Sequence, residues 1–290
     1  MGFFGRKRAP SVPHPRKEPR FDGPLTLERL EQIFQDCVDF TKRPVSLGEG
    51  GACTLTLCYL SGMVKMERVS DYVLRPLAQD EALARCGTPR QAMDRMKDGA
   101  LYNLSAEERT RLDAAVFDLV NGCCLLLFPW ESSVLSLNVG TEEKRSISSP
   151  SNETVLKGSR DAFVESLRTN TSIVRRHLKA PELRIREQVV GRQSVTSVDI
   201  LYIEGLTNPH LVEQVAAQLA DIDIDAVLAT GNIEEYIVPA ARTAFPLVQY
   251  TERSDRFCAG LAEGRVGILI DGLPLGYLAP GVLGDFLQAP

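Results

Sequence analysis

The sequence predicts an α/β protein built from two similar lobes, and three observations carry this prediction. Helical and strand-like segments alternate from about Pro24 onward. The second half of the chain repeats the order of the first. A segment rich in Ser, Glu and Asn, residues 141–157, lies between the halves, as expected at a domain boundary. With 290 residues, the chain is long enough for two units of about 130 residues each.

An internal repeat supports the division into lobes. A shift of 142 positions aligns the apolar segment after Asn121-Gly122 with the one after Glu263-Gly264. We interpret the repeat as an internal duplication, and we expect a cleft between the lobes, where ligands commonly bind. A shift of 143 aligns Gly48, Tyr59 and Gly62 with Gly191, Tyr202 and Gly205.

In the first half, a capping box at Ser105–Glu108 predicts the start of a helix that runs to Asn121. The four residues 48–51, GEGG, precede a strand and not a helix, so they are typical of a hairpin turn and not of a phosphate-binding loop. Hydrophobic periodicity predicts further helices over 25–40, 64–77 and 80–98, and strands over 52–60, 123–128 and 133–138.

In the second half, Asn208-Pro209 supplies an N-cap and a first-turn proline for a helix that ends at Leu219. Asp221–Asp225 imitates the start of a calcium loop but lacks the glycine and glutamate such a loop needs, so it predicts a short strand. The remaining predicted elements are helices over 161–178 and 255–263 and strands over 183–190, 197–203, 247–251, 266–270 and 275–278.

The charge is unevenly distributed. Residues 1–23 are Pro-rich and carry a net charge of +4, which leaves −9 for the rest of a chain whose net charge is −5. We expect a disordered tail over 1–23, a first lobe over 24–145 and a second over 146–290. The acidic folded part argues against nucleic-acid binding, which needs basic surface. We expect no signal peptide and no membrane helix within the chain.

Catalytic and metal-binding patterns are weak. The three histidines are scattered, and the cysteines form no C-x-x-C pair, so the sequence predicts no metal site, no cofactor and no catalytic residue. His177 follows two arginines at a predicted helix end, where positive charge is favourable. We interpret the seven cysteines as free thiols, mostly buried, at positions 37, 53, 58, 86, 123, 124 and 258.

Two polar clusters are the candidate ligand-binding segments. Residues 165–171 place Arg168 and uncharged hydrogen-bonding side chains on a predicted helix, and residues 249–256 place others at the exit of a strand. Arg can bind a carboxylate through two hydrogen bonds, and Tyr, Thr, Gln and Asn can orient a ligand. The alternative is that Arg168 pairs with Glu252 or Asp255 as a structural salt bridge.

These clusters also carry a family resemblance. The segments 158–171, 202–209 and 248–253 resemble the N-terminal domain of GerA-type spore germinant receptor A subunits, as do 75–77, 143–147 and 264–272. The likeness covers residues 25–290 and is specific over 150–280. It implies a domain on the cytosolic face of the spore inner membrane, followed by a membrane bundle and acting with B and C subunits. It also implies two α/β lobes around a cleft, as in substrate-binding proteins.

The chain departs from the family pattern at several positions. Phe128-Pro129-Trp130 stands where the family usually has an Asp-Gly turn, Ser61 where an acidic residue is common, and Ser254 where proline is usual. The expected membrane bundle after Pro290 is absent. These differences leave the expected fold intact and bear on the ligand-binding role of the first lobe.

Three functions follow as hypotheses. In the first, the domain senses a small polar nutrient such as an amino acid between the lobes: Arg168 holds its carboxylate, Thr169 and Asn170 add hydrogen bonds, and Glu252 or Asp255 meets its ammonium. In the second, it is an assembly and coupling domain for the B and C subunits, or a related sporulation protein that assists dipicolinate movement. The third, an enzyme, lacks a catalytic constellation. The full predicted ligand-binding set is Arg168, Thr169, Asn170, Glu204, Gln249, Tyr250, Thr251, Glu252 and Asp255.

Overall fold

A computed structural model shows two five-stranded sheets, each with helices against both faces. It describes residues 20–47, 53–101, 106–129, 131–140, 161–225 and 248–281. The first lobe contains α1 (Leu27–Ile33), β1 (Phe40–Leu47), β2 (Cys53–Leu60), α2 (Met66–Val69), α3 (Arg75–Gln79), α4 (Glu81–Ala84), α5 (Pro89–Arg95), β3 (Ala106–Arg109), α6 (Leu112–Val120), β4 (Cys123–Leu127) and β5 (Val134–Asn138), with π-helical turns at Ser70–Leu74 and Met96–Ala100.

The second lobe repeats this arrangement with fewer helices among its described residues. Its elements are α7 (Leu167–His177), β6 (Leu183–Val190), β7 (Thr196–Ile203), α8 (Pro209–Ala220), β8 (Gln249–Thr251), α9 (Ser254–Ala262), β9 (Val266–Ile270) and β10 (Gly276–Ala279).

The two sheets have the same topology. Their strand orders are β1-β2-β4-β5-β3 and β6-β7-β9-β10-β8, and neighbouring described strands run antiparallel throughout. The registers also match: the pair Phe40–Leu60 recurs as Leu183–Ile203, 143 residues later on both strands. The pair Cys58–Leu125 recurs as Leu201–Gly267, with offsets of 143 and 142. The predicted fold class, two similar α/β lobes, is confirmed.

Each sheet is covered on both faces because its central strands are apolar on both. In the first lobe, β2 directs Leu55 and Leu57 to a core shared with α2–α5, and Cys58 and Leu60 to a core shared with α1 and α6. In the second lobe, α8 covers one face, and α7 and α9 cover the other. The faces covered by α1 with α6, and by α7 with α9, correspond in the two lobes.

The helix predicted over 25–40 is wrong in its second half. It ends at Ile33, and β1 occupies Phe40–Leu47. Asp36 adopts φ +57°, which reverses the chain between the two elements. A proline such as Pro44 is unusual within a strand, because it has no N–H to donate to a neighbouring strand. It is tolerated here because β1 is an edge strand.

Three further boundaries differ from the prediction. Residues 106–109 form the edge strand β3, and the helix predicted from Ser105 begins only at Leu112. The helix predicted from Asp161 begins at Leu167, because the Ser166 side chain accepts the N–H of Thr169 and caps it there. Residues 221–225 form no strand, although their backbone binds that of residues 192–194.

Several predicted features lie outside the described residues, namely the turn at 48–51, the boundary segment 141–157 and most of the basic tail. No helix among the described residues is long and apolar enough to cross a membrane. All seven cysteines are free, and Cys37, Cys58, Cys124 and Cys258 are buried.

Candidate site at the junction of the lobes

A backbone bridge joins the two lobes. The segment between α1 and β1 lies parallel to the free edge of β6, with Cys37 opposite Ile185. Ile185 donates its N–H to the carbonyl of Asp36 at 3.1 Å and accepts the N–H of Val38 at 2.9 Å. The Cys37 thiol adds a bond to the carbonyl of Leu183 at 3.4 Å. The first lobe therefore extends the sheet of the second by one short strand.

A buried ion pair lies beside this bridge. Arg175, on α7, donates Nε–H and Nη2–H to the two carboxylate oxygens of Asp39, each at 2.9 Å. The side chains are 1% and 5% exposed. A two-bond guanidinium–carboxylate contact of this kind fixes orientation as well as distance. The pair therefore joins the lobes through charge as well as through the backbone.

The remaining donors of Arg175 are also satisfied. Nη1 binds the carbonyls of Leu183 and Ala180 at 3.0 and 3.4 Å, and Nη2 contacts the Cys37 sulfur at 3.6 Å. Burial of a charge is costly unless its hydrogen-bonding groups find partners. Sequence reasoning placed Arg175 only at a helix end and missed this role, because its partner lies 136 residues away.

A shallow groove of about 570 Å³ lies along the bridge. Its charged lining residues are Asp36, Arg186 and Glu187. Arg186 binds Glu213 at 2.6 Å. The apolar part of the groove consists of Phe34, Cys37, Val38, Ile185 and Val189, of which Val38 and Val189 are 40% and 57% exposed.

Arg168 binds Glu187, one of the residues that line this groove. Its Nη2 binds Glu187 at 2.5 Å, and its Nη1 binds Asp199 at 3.1 Å. The Arg168 side chain is 46% exposed, whereas that of Asp199 is fully buried. Burial raises the pKa of Asp199 to about 7, and Glu187, Asp39 and Asp271 add to the rise, while Arg168 opposes it. One oxygen of Asp199, Oδ1, has no hydrogen-bond partner.

The other predicted residues of α7 serve its first turn. Thr169 donates its hydroxyl to that of Ser166 at 3.1 Å. Asn170 is fully buried; its amide donates to the carbonyl of Val164 at 2.6 Å and its oxygen accepts the N–H of Val164 at 2.8 Å. Asn170 thus fixes the chain before the helix, and of the three only Arg168 binds a residue that lines the groove.

The second predicted cluster lies on β8 and the start of α9. Thr251 is fully buried and accepts the N–H of Arg253 at 3.1 Å, and Asp255 binds the same arginine at 2.7 Å. Burial by itself would raise the pKa of Asp255, but the hydrogen bond from Arg253 is the larger effect and lowers it. Gln249 accepts a bond from Arg265 at 3.0 Å, and the Tyr250 side chain is exposed.

Glu204 and Glu252 complete the predicted set. Glu204 follows the end of β7 and binds Arg184 near the open end of the β6–β7 hairpin, whereas Asp199 and Glu187 pair near its middle. The carbonyl of Glu252 accepts the N–H of Phe163 at 2.8 Å, which ties the second cluster to the segment before α7. The predicted partner of Arg168 was Glu252 or Asp255, whereas the bonds observed run to Glu187 and Asp199.

A serine, a histidine and an aspartate also meet in the second lobe. Ser254 Oγ lies 3.2 Å from His177 Nε2, and Asp161 lies 3.5 Å from the same nitrogen. In a catalytic triad, the acid binds the nitrogen opposite the one that faces the serine. The hydroxyl of Ser254 donates to the carbonyl of Asp161 at 2.9 Å and is buried. The arrangement therefore anchors α7 to α9 and does not prepare a nucleophile.

Comparison with known proteins gives the family. The model of the family described as Bacillus/Clostridium GerA spore germination protein matches residues 28–290. The chain belongs to the GerA family. It is 32% identical to spore germination protein KA of Bacillus subtilis over 251 residues, which is 87% of this chain and 45% of that protein. It is 30% identical to stage V sporulation protein AF of the same species, over 81% of this chain and 47% of that protein.

This GerA-family chain is also similar to a solved structure. The N-terminal domain of the A subunit of the Bacillus megaterium spore germinant receptor GerK3 matches with a TM-score of 0.69 and 27% identity, over 89% of this chain and 94% of that one. The chain spans about half the length of the curated relatives it matches. It is therefore a domain like that of a spore germinant receptor A subunit.

Proposed function

We propose that this domain senses a small polar nutrient, such as an amino acid, and signals to B and C subunits at the cytosolic face of the spore inner membrane. One observation carries the proposal. Arg168 is half exposed and is held by Glu187, a residue that lines the groove between the lobes. A ligand carboxylate can replace Glu187 on Arg168, and this frees an acidic group to meet a ligand ammonium.

The route from ligand to signal follows from the same strand. Glu187 and Ile185 both belong to β6, and Ile185 carries the backbone bridge to the first lobe. A ligand that moves Glu187 therefore acts on the strand that joins the lobes. The ligand roles of Glu204, Gln249, Tyr250, Thr251, Glu252 and Asp255 stay predictions, as do those of Thr169 and Asn170.

The test is thermal unfolding with a panel of amino acids, sugars and nucleosides. A ligand at 100 times its Kd stabilises a protein by about 2.7 kcal/mol. This corresponds to a rise in Tm of several degrees for a domain of this size. We expect such a rise for one chemical class, and its loss in Arg168→Ala. Arg85→Ala is the matched control, because the Arg85 side chain is 79% exposed on the remote helical face of the first lobe. A flat panel from well-folded protein, or unchanged affinity in Arg168→Ala, contradicts the proposal.

A second candidate function is assembly and coupling without a ligand of its own. The buried Asp39–Arg175 pair favours it, because it fixes the lobes in one arrangement. On this hypothesis Glu252→Ala weakens association with co-expressed B and C subunits, and Glu81→Ala, which changes an exposed side chain, does not. Unchanged association in Glu252→Ala contradicts this role for Glu252.

A further inference from the structure

The first lobe contains a second groove, separate from the one between the lobes. Its volume is about 690 Å³, within the range of about 300–1,000 Å³ that is usual for small-molecule sites. It lies on the sheet face that α1 and α6 cover, beyond the N-terminal end of α1. Its apolar base includes Leu127 and Val134, both less than 10% exposed.

The groove lies where the helix start of the first lobe differs from that of the second. Under the 143-residue offset, its rim at 23–28 corresponds to 166–171, the cap and first turn of α7. In the second lobe, Asp271 accepts the N–H of Leu167 at 3.1 Å and anchors that turn. Pro129 stands at the position equivalent to Asp271, so the anchor is lost and α1 begins one turn later than α7. The space filled by a helical turn in the second lobe is therefore left open in the first.

The polar groups of the groove are hydroxyls and carboxylates. Thr54 and Thr56 lie on one face of β2, two residues apart, and Thr110 and Ser132 also line the groove. Thr56 replaces Asp199 of the second lobe and pairs with strands on both sides, with Pro44 on β1 and Leu127 on β4. Side chains on a strand held on both sides are positioned before any ligand arrives.

Charge selects the class of ligand. The lining contains Glu28 and Glu131, and none of its described residues is Lys, Arg or His. A carboxylate at neutral pH accepts hydrogen bonds and cannot donate them. The groove thus offers two negative charges and several hydroxyls to a ligand, which disfavours anions and favours donors.

The rim is firmly held. Ser133, which is 4% exposed, donates to Glu108 at 2.8 Å. Glu108 is bound in turn by Arg90 at 2.6 Å and Lys97 at 2.8 Å. The hydrogen bond from Arg90, the largest effect, together with those from Lys97 and Ser133, lowers the pKa of Glu108 to about 2. This network fixes the loop that carries Ser132 and Glu131 against the helices on the other side of the sheet.

We propose that the groove of the first lobe is a separate binding site for a small hydroxylated amine. The hydroxyls of Thr54, Thr56 and Thr110 bind the ligand hydroxyls, and Glu131 with Glu28 binds its ammonium group. The apolar base packs against the carbon skeleton. This site is independent of Arg168 and of the groove between the lobes.

Three probes that share the same sugar ring but differ in charge test the class of ligand: glucosamine (cationic), glucose (neutral) and glucuronate (anionic). Threonine methyl signals of the protein are followed by NMR during each titration, since Thr54, Thr56 and Thr110 report directly from the groove. We expect shifts of these three signals with glucosamine, smaller shifts with glucose at the same concentration, and none with glucuronate. Equal shifts with glucuronate, or no shift with glucosamine, overturn the proposal.

Variants test the location of the site. The substitutions Thr54→Val and Thr56→Val together keep the shape and remove two hydroxyls, and we expect at least a tenfold loss of glucosamine affinity. Glu131→Gln should lower the affinity for glucosamine about three- to tenfold, as removal of a part-exposed ion pair does, and should leave the affinity for glucose unchanged. Thr41→Val, on the edge strand β1 and outside the groove lining, is the matched control. Unaltered affinity in the double Thr→Val variant contradicts the site. Arg168→Ala should bind glucosamine normally, which separates this site from the proposed sensing site.

Discussion

Removal of one partner of the Asp39–Arg175 pair should destabilise the whole domain. Arg175→Met leaves Asp39 as a buried charge without its two strongest donors, and Asp39→Asn leaves the guanidinium without a counter-charge. Breaking a buried pair in this way costs about 3–5 kcal/mol. With Tm changes of about 2–4 °C per kcal/mol for domains near this size, each single variant should melt roughly 6–20 °C lower.

The assay is urea unfolding with calorimetry as a second probe, on both single variants and on Asp39→Leu/Arg175→Met. The double variant carries no buried charge, so we expect it to recover most of the stability that the single variants lose. Arg85→Met is the control: its partner Glu81 is 83% exposed, and exposed pairs of this spacing contribute about 0.3–0.5 kcal/mol. A loss below 1 kcal/mol in both single variants would refute the reasoning that this pair joins the lobes.

Three further predictions concern the interior. The pKa of Asp199 rises from 3.8 to about 7 on folding, so the folded state holds an extra proton between these values and stability falls as pH rises through them. The free energy of unfolding of the wild type, measured in urea, should therefore fall by about 4 kcal/mol between pH 4 and pH 8, and Asp199→Asn should abolish this fall. An unchanged pH dependence in the variant would exclude Asp199 as its source. Gly267→Ala should cost about 1–3 kcal/mol in the same assay, because a Cβ there would lie 2.3 Å from the Phe257 ring; wild-type stability would mean that the ring moves freely. Burial raises the pKa of Cys58 and Cys258 to about 12, so both thiols should resist a disulfide reagent at pH 8 until urea unfolds the protein, and rapid labelling of the folded protein would contradict this.

The repeat in the sequence predicted more of the fold than the individual elements did. Glycines and a tyrosine at one offset implied two copies of one topology, and the paired registers of the sheets follow the same offsets of 143 and 142. Single elements failed where tertiary context outweighed local pattern. Pro44 concealed β1, and the Ser105–Glu108 pattern imitated a helix start in what is an edge strand.

The candidate site was predictable only in part. The polar segment around Arg168 marked a half-exposed arginine beside the groove. Its partners Glu187 and Asp199 could not be read from the sequence, because they lie opposite each other in a hairpin and one of them is buried. Arg175 and Asp39 lie 136 residues apart in the sequence, and only the packing of the lobes brings them together. Asn170 and Thr251 were predicted to bind a ligand because their side chains are polar. In the structure, these side chains form hydrogen bonds with the backbone.

The contact between the lobes is head-to-tail, since the segment before β1 binds β6 and not its own counterpart. A heterologous contact between like units continues into an open array unless something closes it. In the first lobe, the counterpart of the β6 edge is the outer edge of β1, so a further copy of the unit would have to add its bridging segment there. Lys42 stands there in the place of Ile185, bound to Glu31, and Pro44 lacks the N–H that another strand would need. The outer edge of β1 is therefore poorly suited to accept the backbone bridge that the edge of β6 accepts.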